Sequence, residues 1–358
     1  MRRYLIILIL IFSLKLFPYW TLGDTISFGG QIISLDGFQV KERIEREVLW
    51  YSKDRAGYLH KLFYDLEFYK DIIYKIFDEY EIDRDYIYVA AVESSFDFRR
   101  VSTRKASGPW QFLKSTGKMY GLVINRYVDE RNHPIKSTEA FCEHIKKLEE
   151  RYEGDIVKVL SAYNSGERAL NESLMKQNCE TFWDCVSNGE TSRYFTKILA
   201  LKLIHKNSKE YGIEVPKLEK GYSSLYEPYS FKLEERIPFT AFCSILEISY
   251  REFYLMNPHL KHKGYRRGGV LNKGVAYNLF IPKKSRSFLD KFLKKEDLKT
   301  GKDTLVVDIN NRSIGEIAIA YGKNWRDIAK DNNLDIFTKK SGLETVDLSK
   351  RNSLIIVR

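Results

Sequence analysis

Asp83-Arg84-Asp85-Tyr86-Ile87-Tyr88-Val89-Ala90-Ala91-Val92-Glu93 decides the reading of this chain. Asp83 is a good N-cap, and the uncharged run from Tyr86 to Val92 predicts a helix. Tyr86, Val89 and Ala90 precede Glu93 by seven, four and three positions, so all four share one helix face. A carboxylate closing an apolar face is partly desolvated, which raises its pKa toward what a general acid needs near neutral pH. The competing reading leaves Glu93 past the helix end in water, where most Glu residues lie.

Outward from this helix, Val40 to about Asn207 reads as consecutive helices. One starts at Ser137-Thr138, with Phe141, Ile145, Leu148 and Tyr152 forming a core-facing stripe. Another runs from Asp155 to Tyr163 and stops at Ser165-Gly166, and a further one covers Arg193 to Ile204. Between them, Ala106-Ser107-Gly108-Pro109-Trp110-Gln111-Phe112 brings a tight turn, then a Pro suited to a first helical position. That segment either lines a sugar-stacking cleft or is a helix start whose Trp110 is core. Ala162-Tyr163-Asn164-Ser165-Gly166 places two hydrogen-bonding side chains before a helix-ending Gly, which by itself is a common C-cap.

The 358 residues carry 59 Lys+Arg against 48 Asp+Glu, a net charge of +11, and 44% hydrophobic residues. That describes a globular chain of two or three domains with a preference for anionic partners. Met1-Arg2-Arg3 and the apolar run Tyr4 to Leu14 are too short to span a bilayer and read as a secretory signal peptide over residues 1–23. Left uncleaved, the same segment would associate the protein with a membrane. Removing Arg2, Arg3 and Lys15 lowers the charge from +11 to +8. An exported, periplasmic or cell-envelope protein has wall polymer and lipid headgroups as its nearest anions, and no nucleic-acid module is present.

Beyond Gly212 two stretches match at a constant offset of 75. Tyr250-Arg251-Glu252-Phe253 answers Trp325-Arg326-Asp327-Ile328, Asn257 answers Asn332, and Leu279-Phe280-Ile281 answers Leu354-Ile355-Ile356. Each unit reads strand, helix, helix, strand, and the charged run Lys291 to Asp303 reads as a solvated linker. The four cysteines exclude a disulfide scaffold, although Cys179 and Cys185 are placed to close a small loop after export. Cys142 and Cys243, each beside a Phe, read as buried thiols. Neither His-Glu-x-x-His nor Cys-x-x-Cys occurs, so no metal or cofactor is expected, and His259 and His262 read as surface residues.

In order, Ala91-Val92-Glu93-Ser94-Ser95-Phe96-Asp97, Ser102 with Ala106-Ser107-Gly108-Pro109-Trp110-Gln111-Phe112, Tyr120-Gly121-Leu122, Ala162-Tyr163-Asn164-Ser165-Gly166 and Glu190-Thr191-Ser192-Arg193-Tyr194 resemble the catalytic core of the lysozyme-like lytic transglycosylases. The likeness is closest to the membrane-bound lytic transglycosylase D type and covers roughly residues 45–203. It implies a mainly α lysozyme-like catalytic domain at 24–215. The tail resembles small α+β LysM modules, a degenerate one at 223–290 and a glycan-binding one at 304–358, with the linker at 291–303. The resemblance makes Glu93 the catalytic acid and then base, and Ser94, Ser102, Gln111, Tyr163, Asn164 and Tyr194 substrate-binding. Pro109 stands where the family usually has Leu, and Ser165 where it has Ala. The implied partner is peptidoglycan glycan strands, cleaved between N-acetylmuramic acid and N-acetylglucosamine to give 1,6-anhydro ends. The alternatives are a hydrolytic muramidase and a non-catalytic wall-binding protein.

Overall fold

A computed structural model describes residues 22–186, 189, 191–233, 236–261, 269–294, 304–308, 314, 317–318, 323–332, 334, 336–338, 344–346 and 353–357. The signal segment lies outside the described residues save for Leu22 and Gly23. The strands β1 (Thr25–Phe28) and β2 (Gln31–Ser34) come first. Helices α1 (Val40–Leu49), α2 (Ala56–Glu79), α3 (Ile87–Ser94), α4 (Lys114–Met119), α5 (Pro134–Arg151), α6 (Ile156–Ser165), α7 (Glu167–Gln177) and α8 (Thr191–Lys206) follow. Then come α9 (Tyr222–Leu225), β3 (Tyr226–Lys232), β4 (Ile237–Pro238), α10 (Phe239–Ile245), α11 (Tyr250–Met256), β5 (Val270–Leu271), β6 (Ala276–Pro282) and α12 (Arg286–Lys294). The chain closes with β7 (Thr304–Asp308), α13 (Trp325–Asp331), β8 (Ile336–Thr338), β9 (Glu344–Val346) and β10 (Ser353–Val357). The fold is mostly helical, with small two-stranded antiparallel sheets.

The described residues fall into two compact units interleaved along the chain. One takes in the described part of Met1–Glu67, Phe77–Phe96 and Phe141–Leu218; the other comprises Phe68–Ile76, Asp97–Ala140 and the described part of Glu219–Arg358.

In the first unit, Asp83 caps a 3-10 turn at Arg84–Tyr86 by accepting the Asp85 N–H at 2.8 Å, and α3 continues from it. Ile87, Tyr88, Val89, Ala90 and Ala91 are all buried, so α3 is enclosed on more than the single face the spacing predicts. Burying an Ile or Val side chain contributes about 1.5–3 kcal/mol, which a helix with no charge before Glu93 can collect on every side. The β1–β2 hairpin precedes the helices of this unit. Gly29 (φ 61°) and Gly30 (φ 73°) supply the two positive-φ positions that a two-residue hairpin turn needs. Phe28, fully buried, then meets Tyr86 and Phe195 edge-on at 5.7 and 5.6 Å. Lys202, 2% exposed, donates to Ser27 O and the Asp85 carboxylate; burial lowers its pKa while Asp85 opposes that shift.

In the second unit, the segment around Pro109 is a turn, not the helix start its sequence suggests. Ser107 and Phe112 pair across it, the Gln111 N–H reaches Gly108 O at 3.3 Å, and α4 begins only at Lys114. Pro109 presets φ for the second residue of that turn. Trp110 is core: it is fully buried, and its indole N–H donates to Thr138 Oγ1 at 3.1 Å. Helix α5 starts at Pro134, earlier than expected. His133 Nδ1 accepts the Ile135 and Lys136 N–H groups, while the Ser137 and Thr138 hydroxyls turn back to the His133 and Pro134 carbonyls. Residue types that cap helices also bond back within a first turn, which is why Ser137-Thr138 misplaced this boundary.

In the tail, the described residues match at the offset of 75 in one helix and its asparagine. Strand β3 pairs with β6 from Tyr226↔Pro282 to Lys232↔Ala276, with α10 and α11 between them in sequence. The offset of 75 carries Tyr250–Met256 onto Trp325–Asp331 end to end; β7 pairs antiparallel with β10, but in a register three residues away from the one the offset would give. The matched asparagines do matched work: Asn257 donates to Phe253 O and Asn332 to Ile328 O, each one helical turn back. The start of the expected linker at Lys291 instead continues α12, and residues 295–303 lie outside the described ones. His259 is not on the surface; it is 2% exposed and lies tilted against His133 with ring centroids 4.5 Å apart. Backbone pairing of Leu260 with Val128 draws it in, and His262 lies outside the described residues.

Candidate functional site

Glu93 stands half-buried in the last turn of α3. The helix stops at Ser95 (φ 56°), whose N–H returns to Ala91 O, and Phe96 (φ 59°) is left-handed as well. Two successive left-handed residues that are not glycine store strain and persist only where neighbours enforce them. One such neighbour is Tyr58 of α2, whose hydroxyl shares a 2.8 Å hydrogen bond with Ser95 Oγ.

The first turn of α8 reaches both Glu93 and Asn164. Tyr194 is 3% exposed and donates its hydroxyl to Glu93 Oε1 at 2.7 Å. Thr191, one turn earlier on the same face, donates to Asn164 Oδ1 at 3.0 Å at the end of α6. Between them Arg193 forks onto the buried Glu47 carboxylate of α1, with Nη2 to Oε2 at 2.9 Å. Bidentate guanidinium–carboxylate pairing fixes orientation as well as distance. Arg43 reinforces the same point by donating to Ser192 O at 2.7 Å. One helical turn, held from outside by two arginine contacts, therefore orients the carboxylate and the amide.

Tyr163, next to Asn164, is half-buried, with its ring edge-on to Phe141 at 5.5 Å and tilted on His144 at 5.2 Å. Burial pushes His144 down to about 4, which leaves it neutral at neutral pH and no rival to a carboxylic acid as proton donor. Ser94 is buried, and its hydroxyl turns back onto Ala90 O at 3.2 Å. It buttresses the helix behind Glu93.

Ser102 and Gln111 belong to the second unit, on one loop closed by the bridges Val101↔Ser107 and Ser107↔Phe112. Ser102 Oγ accepts the Ala106 N–H at 3.0 Å. Gln111 is left-handed (φ 49°), and its side-chain amide donates to Gly108 O at 2.8 Å and Arg100 O at 3.2 Å, leaving Oε1 as an acceptor. Arg131, 8% exposed, holds this loop: it forks onto Asp129 at 2.8 and 2.9 Å and donates to Lys105 O and Phe112 O at 2.9 and 3.0 Å. All four cysteines are free thiols, with Cys142 and Cys243 buried as expected. Burial, with Cys179 beside it, pushes the Cys185 thiol up to about 12.

Sequence reasoning missed Tyr58, Ser95, Thr191 and the Arg193–Glu47 pair. A signal for Thr191 was present, since it precedes Tyr194 by one helical turn.

The family described as "Transglycosylase SLT domain" matches residues 71–185, which include Glu93, Ser102, Gln111, Tyr163 and Asn164. The chain is 27% identical over 327 residues to the membrane-bound lytic murein transglycosylase D of Escherichia coli (strain K12), covering 87% of this chain and 70% of that protein. Two solved structures match more loosely. The 70 kDa soluble lytic transglycosylase of Escherichia coli is 19% identical, with 42% of this chain and 26% of that one covered at a TM-score of 0.34. The lytic transglycosylase Slt of Pseudomonas aeruginosa is 15% identical, with 40% and 24% covered at a TM-score of 0.32. The chain thus spans about a quarter of these two structures, and superpositions this loose carry no argument.

Proposed function

We propose that this chain, whose residues 71–185 belong to the transglycosylase SLT domain family, cleaves peptidoglycan between N-acetylmuramic acid and N-acetylglucosamine, with Glu93 as acid and then base. It is a peptidoglycan lytic transglycosylase by its family match and by its identity to a murein transglycosylase. The bond broken, the anhydro product and the role of Glu93 are our reading. The observation that carries it is the 2.7 Å hydrogen bond from Tyr194 to Glu93 Oε1 on the same turn that holds Asn164.

Glu93 protonates the leaving glycosidic oxygen as positive charge develops on the muramic acid. Glycosidases that add water need a second carboxylate to activate it or to attack the sugar. Asp97, near in sequence, is exposed and already accepts the Arg99 N–H at 2.8 Å. In our reading deprotonated Glu93 instead takes the proton of the sugar's own 6-hydroxyl, which closes the 1,6-anhydro ring. Tyr194 holds one carboxylate oxygen throughout. Asn164, Tyr163, Gln111 and Ser102 contact glycan; Ser94, substrate-binding by the resemblance, is buried with its hydroxyl on Ala90 O, and supports Glu93 from behind instead. The second tail unit binds glycan while the first, degenerate one serves the fold, and oxidation after export joins Cys179 and Cys185, free thiols in this structure, as a disulfide. Substrate and family place the protein in the cell envelope. Among the described residues no helix is long and apolar enough to cross a membrane.

Weighing the products of a peptidoglycan digest tests the chemistry. Anhydro ends, lighter by one water, are expected; hydrated ends throughout would make the protein a muramidase, and binding without release a wall-binding protein. Tyr194→Phe removes a hydrogen bond to a charged group and is expected to lower kcat about tenfold with the fold intact. An unchanged kcat would mean that Tyr194 does not serve the carboxylate.

A further inference from the structure

Arg99 joins two parts of the second unit that the sequence keeps apart. Its guanidinium donates to Tyr254 O, to Asn257 O at 3.1 Å and to Pro258 O at 3.1 Å, and lies 3.8 Å from the Tyr254 ring centroid. These carbonyls belong to the last turn of α11 and the residues after it, where helix carbonyls lack intrahelical partners and a cation is favoured. The anchor is itself fixed, because the Asn257 side chain bonds Phe253 O and both backbone groups of Phe280 in β6. On the other side of Arg99, the next carbonyl, Arg100 O, accepts the Gly108 N–H at 3.0 Å and the Gln111 side-chain amide at 3.2 Å. A second seam runs alongside: Asp129 N–H donates to His259 O at 2.8 Å and Lys261 N–H to Tyr127 O at 2.9 Å. The segment after α11 is thus tied both to the loop that carries Gln111 and to the stretch just before Arg131, which holds that loop.

We propose that the strand–helix–helix–strand unit from β3 to β6 is a brace for the Gln111 turn, and that Arg99 is the positioning residue through which it acts. Its consequence for glycan binding rests on the reading of Gln111 given above. Arg99 touches no substrate; it fixes Arg100 O, and so the amide that Gln111 presents.

The test uses the full chain, with hydrogen exchange over residues 100–112 and steady-state turnover of peptidoglycan. Arg99→Ala is expected to speed exchange of that segment about ten- to hundredfold, the scale of lost hydrogen bonds to a charged group, and to leave α6 and α8 unchanged. It should raise KM severalfold with little change in kcat, as Gln111→Ala should, and the double variant should be no worse than Gln111→Ala alone. Arg99→Lys, which keeps the charge but not the planar fork, should fall between wild type and Arg99→Ala. It decides the matter if Arg99→Ala does not fold. Unchanged exchange over 100–112, or additive losses in the double variant, would overturn the brace. If Gln111→Ala leaves KM unchanged, the glycan role of Gln111 falls, and the exchange result alone judges Arg99.

Discussion

Glu93→Gln leaves the protein folded and glycan-binding but without lytic turnover. The substitution is nearly isosteric, and the new carbonyl oxygen still accepts the Tyr194 hydroxyl that meets Oε1 at 2.7 Å in the wild type. What disappears is the exchangeable proton. A positioned general acid contributes about 10²- to 10⁴-fold, and in the proposed mechanism one carboxyl acts twice, so the loss should lie at or beyond the upper figure. The measurement pairs release of soluble fragments with co-sedimentation on intact peptidoglycan and a melting curve. Binding and melting temperature should match wild type while release falls to background; full activity in this variant would show that another group is the acid. Glu93→Asp makes a sharper comparison, because it keeps the acid and withdraws it by one methylene from Tyr194. Its loss should lie between wild type and the Gln variant.

The parts of this fold readable in advance were those where local and tertiary preferences agree. Asp83 and the run to Val92 gave a buried helix ending in Glu93, and the offset of 75 gave two tail units whose matched helices coincide end to end. The misses have physical causes. Gly29-Gly30 between two short apolar stretches is a hairpin signal, but a weak one, because the strands it joins are only four residues each and precede the long helical pattern that begins at Val40. Pro109 suits a helix start and a turn equally, and only the pairing of Ser107 with Phe112 decides between them. His259 appears polar and exposed until Leu260 pairs with Val128, a contact more than a hundred positions away in sequence. The site follows the same division. Residue type and position suffice to propose roles for Glu93 and Tyr194, whereas Tyr58, Arg193 and Arg99 act through partners that only the folded chain brings near.

Gly108→Ala should be the most damaging alanine replacement among the described glycines, and Gly166→Ala is its control. Both glycines have φ of +87°, so both replacements carry the backbone strain of a conformation that side chains rarely adopt, a cost of about 1–3 kcal/mol. They differ in what the new Cβ meets. At Gly166 nothing lies within 4 Å, whereas at Gly108 the Cβ would stand 1.8 Å from Arg131 O and 2.7 Å from Arg131 C. Arg131 cannot step aside cheaply, since its guanidinium is buried, forked onto Asp129 and bonded to Lys105 O and Phe112 O. Moving it breaks a buried ion pair, which costs about 3–5 kcal/mol when one partner is lost. Gly108→Ala should therefore destabilise by about 4 kcal/mol or more beyond the strain the two variants share. Urea unfolding followed by tryptophan fluorescence reads the difference, because Trp110 sits two residues away in the core. Equal midpoints for the two variants would mean that the loop yields and that Arg131 does not hold it. A large gap would identify the missing side chain at Gly108 as what lets the Gln111 turn lie against Arg131.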